Sequence, residues 1–411
     1  MKNNIKILIL LTLLFTAMGL FAQGGSNYSI FGLGDIDVNP GAAYEGLAGT
    51  SIAFPMDHSI NSLNPALWSH ITKTRLMTGY KFNQSFMEDD EDNVLYQNNG
   101  KLSGISSIFV IDTSLGVAVS FGINPYSSVN YLISVPVDIS YEGLNVTGRT
   151  LYEGKGGVSL AYLGGSYNIL NNLSVGALAF ATFGVINSTV STSFNDENFF
   201  MSLTETENRF KGYGYRLGIL YEPVEGFNLG AFTEQHQSFE FEKDLTYASE
   251  FQNDTSFVDN LELTLPNAYG AGISYLTGKF RIGADYKIYK LKELNFNQGP
   301  NTEFRNLQIF SIGFSRLGSQ SLSAHFLDKA TYNLGIGYKQ LYYKINGQDI
   351  DEIYASFGMN IPVVGTSIID ASFTFGSRGT TSNSLVREYY GRLSVDISIG
   401  ETWFKPFKRE Y

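Results

Sequence analysis

The sequence predicts an all-β fold, a single antiparallel transmembrane β-barrel of fourteen strands. Three observations carry that expectation. Hydrophobic residues make up 43% and charged residues only 16% of the 411 positions, which is unusual for a soluble enzyme but suits strands with one face in lipid and the other in a lumen. Apolar and polar residues alternate with period two along most of the chain. The alternating segments are joined by connections that are mostly short and long in turn, as in barrels with tight periplasmic turns and larger outer loops.

The N-terminus reads as a signal peptide over residues 1–22. Lys2 and Lys6 make a basic start, Ile7 to Phe21 is apolar, and Ala22 is a small residue at the expected cut. The apolar run is short of the ~20 residues a spanning helix needs. The expected location is therefore the outer membrane of a Gram-negative cell. Residues 23–72 are rich in Gly, Asn, Ser and Pro and read as compact turns with one short helix. The barrel is expected over 73–404, followed by a basic tail, 405–411, on the periplasmic side.

Fourteen strand segments fall near 73–86, 101–112, 115–132, 156–169, 172–192, 208–222, 226–243, 260–277, 279–294, 303–317, 325–345, 349–361, 366–379 and 387–404. In the third, Val117, Val119, Phe121 and Ile123 alternate with Ala118, Ser120, Gly122 and Asn124. In the last, Leu393, Val395, Ile397 and Ile399 alternate with Arg392, Ser394, Asp396 and Ser398, and the strand ends in Trp403-Phe404. Residues 112–115, 170–172, 223–225 and 276–278 read as tight turns, and 87–100, 133–155, 193–207 and 244–259 as polar loops. The run Glu88 to Asp92 reads as a solvated outer loop.

Composition narrows the functional classes. A formal charge of −11 argues against a nucleic-acid partner. The absence of cysteine excludes disulfide and thiolate chemistry. Forty-three Gly, 31 Phe and 26 Tyr suit closely packed strands and aromatic girdles. Strand after strand with a continuous apolar face argues against a soluble sandwich or propeller. The four histidines, His58, His70, His236 and His325, lack metal-ligand spacing, and no nucleophile or phosphate-loop motif is present. No metal, no cofactor and no enzymatic activity are expected.

Residues 44–66 carry the most specific pattern: Tyr44-Glu45-Gly46-Leu47-Ala48-Gly49-Thr50-Ser51-Ile52-Ala53, then Asp57, then Asn64-Pro65-Ala66. The pattern resembles the N-terminal plug of the FadL-type family, outer-membrane transporters of long-chain fatty acids and aromatic hydrocarbons. The opening Tyr28 to Asp35 and the ending Glu401 to Phe404 are similar to the Bacteroidota branch of that family. The family often continues Asn-Pro-Ala with Gly, whereas Leu67-Trp68 follows here.

The resemblance implies a fourteen-stranded barrel with residues 23–72 as a plug in its lumen. It implies gating roles for Gly46, Gly49, Asp57, Asn64, Pro65 and Ala66. It also implies an inward kink in the third strand that opens the wall sideways, here at Gly122, Asn124 and Pro125. Proline removes a ladder donor and forces a break or bulge. Ligand-binding candidates are Phe199, Phe200, Met201 and Leu203 in the loop after the fifth strand, and Leu178 and Phe180, which with Ile186 face the lumen. Arg216, Arg281 and Arg378 are candidate partners for a carboxylate head; they, Lys287 and Arg392 are otherwise expected to pair with Asp285, Asp370 and Asp396.

The implied function is passive uptake of hydrophobic, fatty-acid-like small molecules that pass the plug and leave through the lateral opening into membrane lipid. The alternative is a non-transporting barrel subunit of an outer-membrane protein export (type IX-like) or assembly complex, with protein partners in the outer membrane.

Overall fold

The computed structural model describes residues 25–403, apart from 91–93, 142–143, 197, 250–252, 264–266, 320, 322 and 364. The expected signal peptide and the tail 405–411 lie outside the described residues, as does part of the acidic run.

Fourteen wall strands follow one another in a closed antiparallel meander. They are β1 (Thr74–Glu88), β2 (Val94–Asp112), β3 in two pieces (Val117–Pro125 and Ser127–Tyr141), β4 (Leu144–Leu170), β5 (Leu173–Phe194), β6 (Ser202–Val224) and β7 (Phe227–Ser249). Then come β8 in two pieces (Asn253–Glu262 and Ala268–Thr277), β9 (Phe280–Tyr289), β10 in two pieces (Thr302–Phe304 and Leu307–Arg316), β11 (Thr331–Ile345), β12 (Gln348–Pro362), β13 (Ile368–Gly379) and β14 (Arg387–Glu401). The ladder between β14 and β1, from Arg387 opposite Glu88 to Glu401 opposite Thr74, closes the ring. Closure pairs the first strand with the last, so neither is left as a free edge.

Sequence alternation sets the two faces. On β10, Phe310, Ile312 and Phe314 are exposed on the outer wall, while Ser311, Gly313 and Ser315 are buried toward the lumen. On β14, Ile397 and Ile399 face out and Asp396 and Ser398 face in. Both barrel termini lie at the end that carries the turns after β2, β4, β6 and β8. We call this the turn end, and the opposite one the loop end.

All four expected loops are corrected: in 87–100, Met87, Glu88 and 94–100 are paired strand, with Glu88 opposite Val94. Residues 133–155 are a hairpin, Ser127–Tyr141 against β4, with Val129 opposite Gly156 and Tyr141 opposite Leu144. Most of 193–207 and 244–259 likewise extends β5 to β8 as paired strand. The 133–155 hairpin carries a readable signal, since Ile133, Val135, Val137 and Ile139 alternate with Ser134, Pro136, Asp138 and Ser140. Two expected strands also start or stop elsewhere. β9 ends at Tyr289 and gives way to the 3-10 turn Leu291–Glu293, and the stretch before β11 contains the helical turn Phe326–Lys329.

Residues 25–71 lie against the inner faces of the wall. Leu33, Tyr44, Leu47, Ile52, Phe54, Ile60, Leu67 and Trp68 are all buried. The segment starts near the loop end, where the Tyr28 hydroxyl donates to the Val386 carbonyl at 2.5 Å and Ser26 Oγ donates to Glu388 at 2.7 Å. It ends at the turn end, where Ile71 leads into β1. Close approach is built from small residues. A Cβ on Gly46 would sit 2.7 Å from the Cα of Gly358 on β12, so backbone meets backbone there.

Candidate functional site: a break in the barrel wall

β3 is broken at Tyr126. Its first piece pairs with β2, from Ile105 opposite Ile123 to Asp112 opposite Val117, and with β4. Its second piece pairs with β4. Among the described residues no ladder joins Ser127–Tyr141 to β2, so Val94 to Gly104 and Val129 to Tyr141 form two facing edges in the wall.

The break has a local cause on both strands. Pro125 supplies no N–H to the ladder. Pro125 faces Ser159 on β4; just beyond the break Gly156, opposite Val129, and Gly157 have φ of 115° and 146°, and a Cβ on Gly157 would meet the Ser127 carbonyl oxygen at 2.3 Å. Only glycine fits a backbone turned so far toward its neighbour. The sequence reading placed the kink at Gly122, Asn124 and Pro125 and missed this doublet. Adjacent glycines in the strand that follows the proline-broken one were the available signal. Asn124 holds the near side: its Nδ2 donates to Ser62 Oγ at 3.3 Å and its Oδ1 accepts from Ser106 Oγ at 3.2 Å. Gly122 lies against the Ile105 carbonyl oxygen and Ser106.

The N-terminal segment lines the break from inside. Asp35 and Ile36 pair as a two-residue strand with Ser128 and Ser127. Asp37 N donates to the Tyr126 carbonyl at 2.8 Å, and Asn130 N donates to Ser29 Oγ at 3.0 Å. One side chain crosses between the two edges: Gln97 Nε2 donates to the Leu132 carbonyl at 2.9 Å. The segment therefore takes up hydrogen bonds that β2 would otherwise satisfy.

Behind the break is a cavity of about 40 Å³. Leu63, Leu160, Tyr162, Leu178, Phe180 and Tyr126 line it, together with Asp37 to Gly41 and Arg216. Of the expected ligand residues, Leu178, Phe180 and Arg216 thus come together, and Ile186 faces the lumen further along β5. Phe199, Phe200, Met201 and Leu203 sit in and beside the β5–β6 connection at the loop end, where Phe199 packs on Phe194. Arg281 is at the turn end, over the Phe54 ring at 5.3 Å and donating to the Pro55 carbonyl. Arg378 is at the loop end, bound to Glu352 at 2.7 Å and Asp35 at 2.8 Å.

The lumenal charges pair differently from the expectation. Arg216 bonds Glu234 at 2.6 Å and Arg378 bonds Glu352, in each case its direct ladder partner on the adjacent strand. Lys287 does lie 3.8 Å from Asp285. Asp285 also accepts from the backbone N–H of Ser51 (2.6 Å) and of Ile52 (2.9 Å), and Asp396 accepts from that of Ala42 at 2.6 Å. Carboxylates of the wall therefore hold the N-terminal segment as well as cations.

The remaining motif residues clamp the segment. Asn64 Nδ2 donates to Ile52 O at 2.7 Å and to Ile219 O of β6 at 3.2 Å, while its Oδ1 caps the 3-10 helix Pro65–His70 through Ala66 N. Pro65 and Ala66 press on the inner face of β5 at Gly176. Gly49, at φ 82°, abuts Asn39. Asp57 is mostly exposed and pairs with His58 at 3.1 Å.

His58 reaches the wall, its Nε2 lying 3.2 Å from Asp370. Burial alone would lower its pKa, but Asp370 and Asp57 outweigh it and raise it to about 9. The charged form is thus favoured in the docked segment, whose ordinary reference is about 6.5. The resulting stabilisation, at most about 3 kcal/mol, is complete below about pH 6.5 and is lost as pH rises through 9. Hydrogen exchange corrected for intrinsic rates should show peptides over 54–63 losing protection between pH 7 and 9.5. His58→Gln should flatten that profile; an unchanged profile in the variant would refute the ion-pair origin.

With this geometry in view, likeness to known proteins can be stated. The BamG family model matches residues 4–410, almost the whole chain. The chain belongs to the BamG family. Among solved structures, this BamG-family chain is similar to the monoaromatic hydrocarbon channel CymD, with 16% identity, 90% of this chain and 99% of that one covered, and a TM-score of 0.60. It is similar to the Ralstonia pickettii toluene transporter TbuX, with 13% identity, 88% and 98% covered, and a TM-score of 0.58. It is also similar to a Pseudomonas aeruginosa FadL homologue, with 12% identity, 89% and 98% covered, and a TM-score of 0.60. At these identities the likeness is one of fold, and the fold is that of FadL-type channels. No curated protein matches the chain.

Proposed function

We propose that this BamG-family chain is an outer-membrane channel for passive uptake of hydrophobic small molecules. The N-terminal segment acts as its plug, and the break in β3 as its lateral exit. One observation carries the reading: among the described residues no ladder joins β2 to the second half of β3, and the N-terminal segment covers the gap from inside. A cavity with an apolar wall at Leu63, Leu160, Leu178 and Phe180 and a polar one at Asp37, Asn124 and Asp396 lies directly behind that cover. Solved structures of the same fold include a toluene transporter and a monoaromatic hydrocarbon channel, which supports a hydrophobic cargo.

The cavity of about 40 Å³ is far below the ~150 Å³ at which an apolar protein cavity takes up benzene. The structure is therefore a closed state on this reading, and passage requires residues 35–41 to move. Cells lacking the protein should take up naphthalene more slowly than wild type, with the rate restored by the intact gene. Equal rates would reject the proposal.

A second reading is a non-transporting subunit of an outer-membrane export or assembly complex. It is favoured by a recess of about 950 Å³ at the turn end, beside the exposed Phe326 and Leu327. Co-purification of one stoichiometric protein, lost on changing Phe326 and Leu327 to Ser, would favour it over uptake.

A further inference from the structure

We infer that the cavity behind the break binds an apolar molecule bearing one neutral hydroxyl, such as a phenol or an alcohol, in preference to a plain hydrocarbon or a carboxylate. This rests on the uptake reading and specifies its cargo.

The cavity walls at Leu63, Leu160, Leu178 and Phe180 set the apolar body of the ligand. The one cation on the cavity is spent. Arg216 Nε donates to Glu234 at 2.6 Å, its NH1 donates to the Ser62 carbonyl at 3.1 Å, and its guanidinium lies 5.7 Å from the Phe180 ring centre. A carboxylate entering here would have to displace Glu234, itself fully buried, and would leave that charge unpaired.

Polar atoms on the cavity wall are unsatisfied, Ser103 Oγ, Asp396 Oδ1 and the Tyr126 hydroxyl among them, and so is one on His236 next to Tyr126. Tyr126 lines the cavity and is 2% exposed; its hydroxyl is buried and has no hydrogen-bond partner. The His236 ring lies against it, 5.7 Å between ring centres, and also against Phe180 at 5.1 Å. His236 Nε2 is held by Glu234 at 2.8 Å, whereas its Nδ1 is buried without a partner. In the neutral ring with its proton on Nε2, Nδ1 is an acceptor. A tyrosine hydroxyl that can donate and an imidazole nitrogen that can accept match the two halves of a ligand hydroxyl. A hydrocarbon would leave both unpaired, and burying unpaired polar groups is what makes such sites discriminate.

The cavity is smaller than such a ligand, so binding displaces the stretch Asp37 to Gly41 that forms one wall. That stretch also donates to the Tyr126 carbonyl and covers the break, so ligand entry and release of the cover are one movement.

Three molecules of one shape test the inference: 1-naphthol, naphthalene and 1-naphthoate. Binding to the full-length protein in detergent is compared with Tyr126→Phe in the same micelles. The wild type should bind naphthol about tenfold more tightly than either analogue, and Tyr126→Phe should erase most of that margin. The wild-type ratios stand as a test even if the variant fails to fold. Equal affinities, tightest binding of naphthoate, or an unchanged margin in the variant would overturn the inference. Uptake by cells separates the levels: naphthalene uptake that depends on the protein, without a naphthol preference, sinks only this inference. No protein-dependent uptake of any of the three sinks the channel reading with it.

Discussion

Oxidation of an Ile36→Cys/Ser127→Cys variant should abolish uptake of hydrophobic solutes, and a thiol reductant should restore it. Ile36 and Ser127 are direct partners in an antiparallel pair, whose Cα separation of about 4.5–5.5 Å falls in the range a disulfide spans. The chain has no other cysteine, so the engineered bond has no competitor. Crosslinking would fix the N-terminal segment to the second piece of β3 and hold the break covered. The reduced variant serves as its own control for folding. Full uptake by the oxidised form, with the bond verified by mass spectrometry, would rule out the break as the exit.

Asp285→Ala should convert a closed barrel into a leaky one. Asp285 accepts from two backbone N–H groups of the segment and sits beside Lys287, all buried. Removing the carboxylate strands the two donors and one cation, a loss of about 3–5 kcal/mol when a buried pair is broken. The cost falls on docking, because the wall keeps its own ladder at this position, with Asp285 opposite Gly272 and Ser311. Planar-bilayer recordings should show frequent openings in the variant and few in the wild type. Asp285→Asn keeps one acceptor and should lie between them. Identical conductance in all three would mean that this clamp does not hold the lumen shut.

The wall was legible because lipid and lumen impose opposite demands on neighbouring residues. Phe310, Ile312 and Phe314 could be assigned outward, and Ser311 and Ser315 inward, from spacing alone. The hairpin beyond the break was legible in the same way, because Ile133, Val135, Val137 and Ile139 alternate with Ser134, Pro136, Asp138 and Ser140; Pro136 and the polar residues around it made the stretch read as a loop. Leu178 and Phe180 could be placed in the lumen from the alternation of their strand, and Arg216 on the polar face of its own, but that the three meet at one cavity is visible only in the structure. The partners of Arg216 and Arg378 did not, because they depend on which residue of the next strand falls opposite, and register is a property of two strands at once. Tyr126 was invisible as a site residue: an orphan hydroxyl exists only once its surroundings are packed.

The path of the N-terminal segment also fixes an order of events in biogenesis. The segment enters near Glu388 at the loop end and leaves at Thr74 at the turn end, so it runs through the ring like a cord through a bead. A free end could reach that position after closure only by being threaded past charged and aromatic side chains that now grip it. The simpler history has the sheet curl around residues 25–71 before β1 and β14 zip together. The leading stretch then serves as a mandrel for the barrel, and variants that shorten it should slow closure itself as well as change what the finished pore admits.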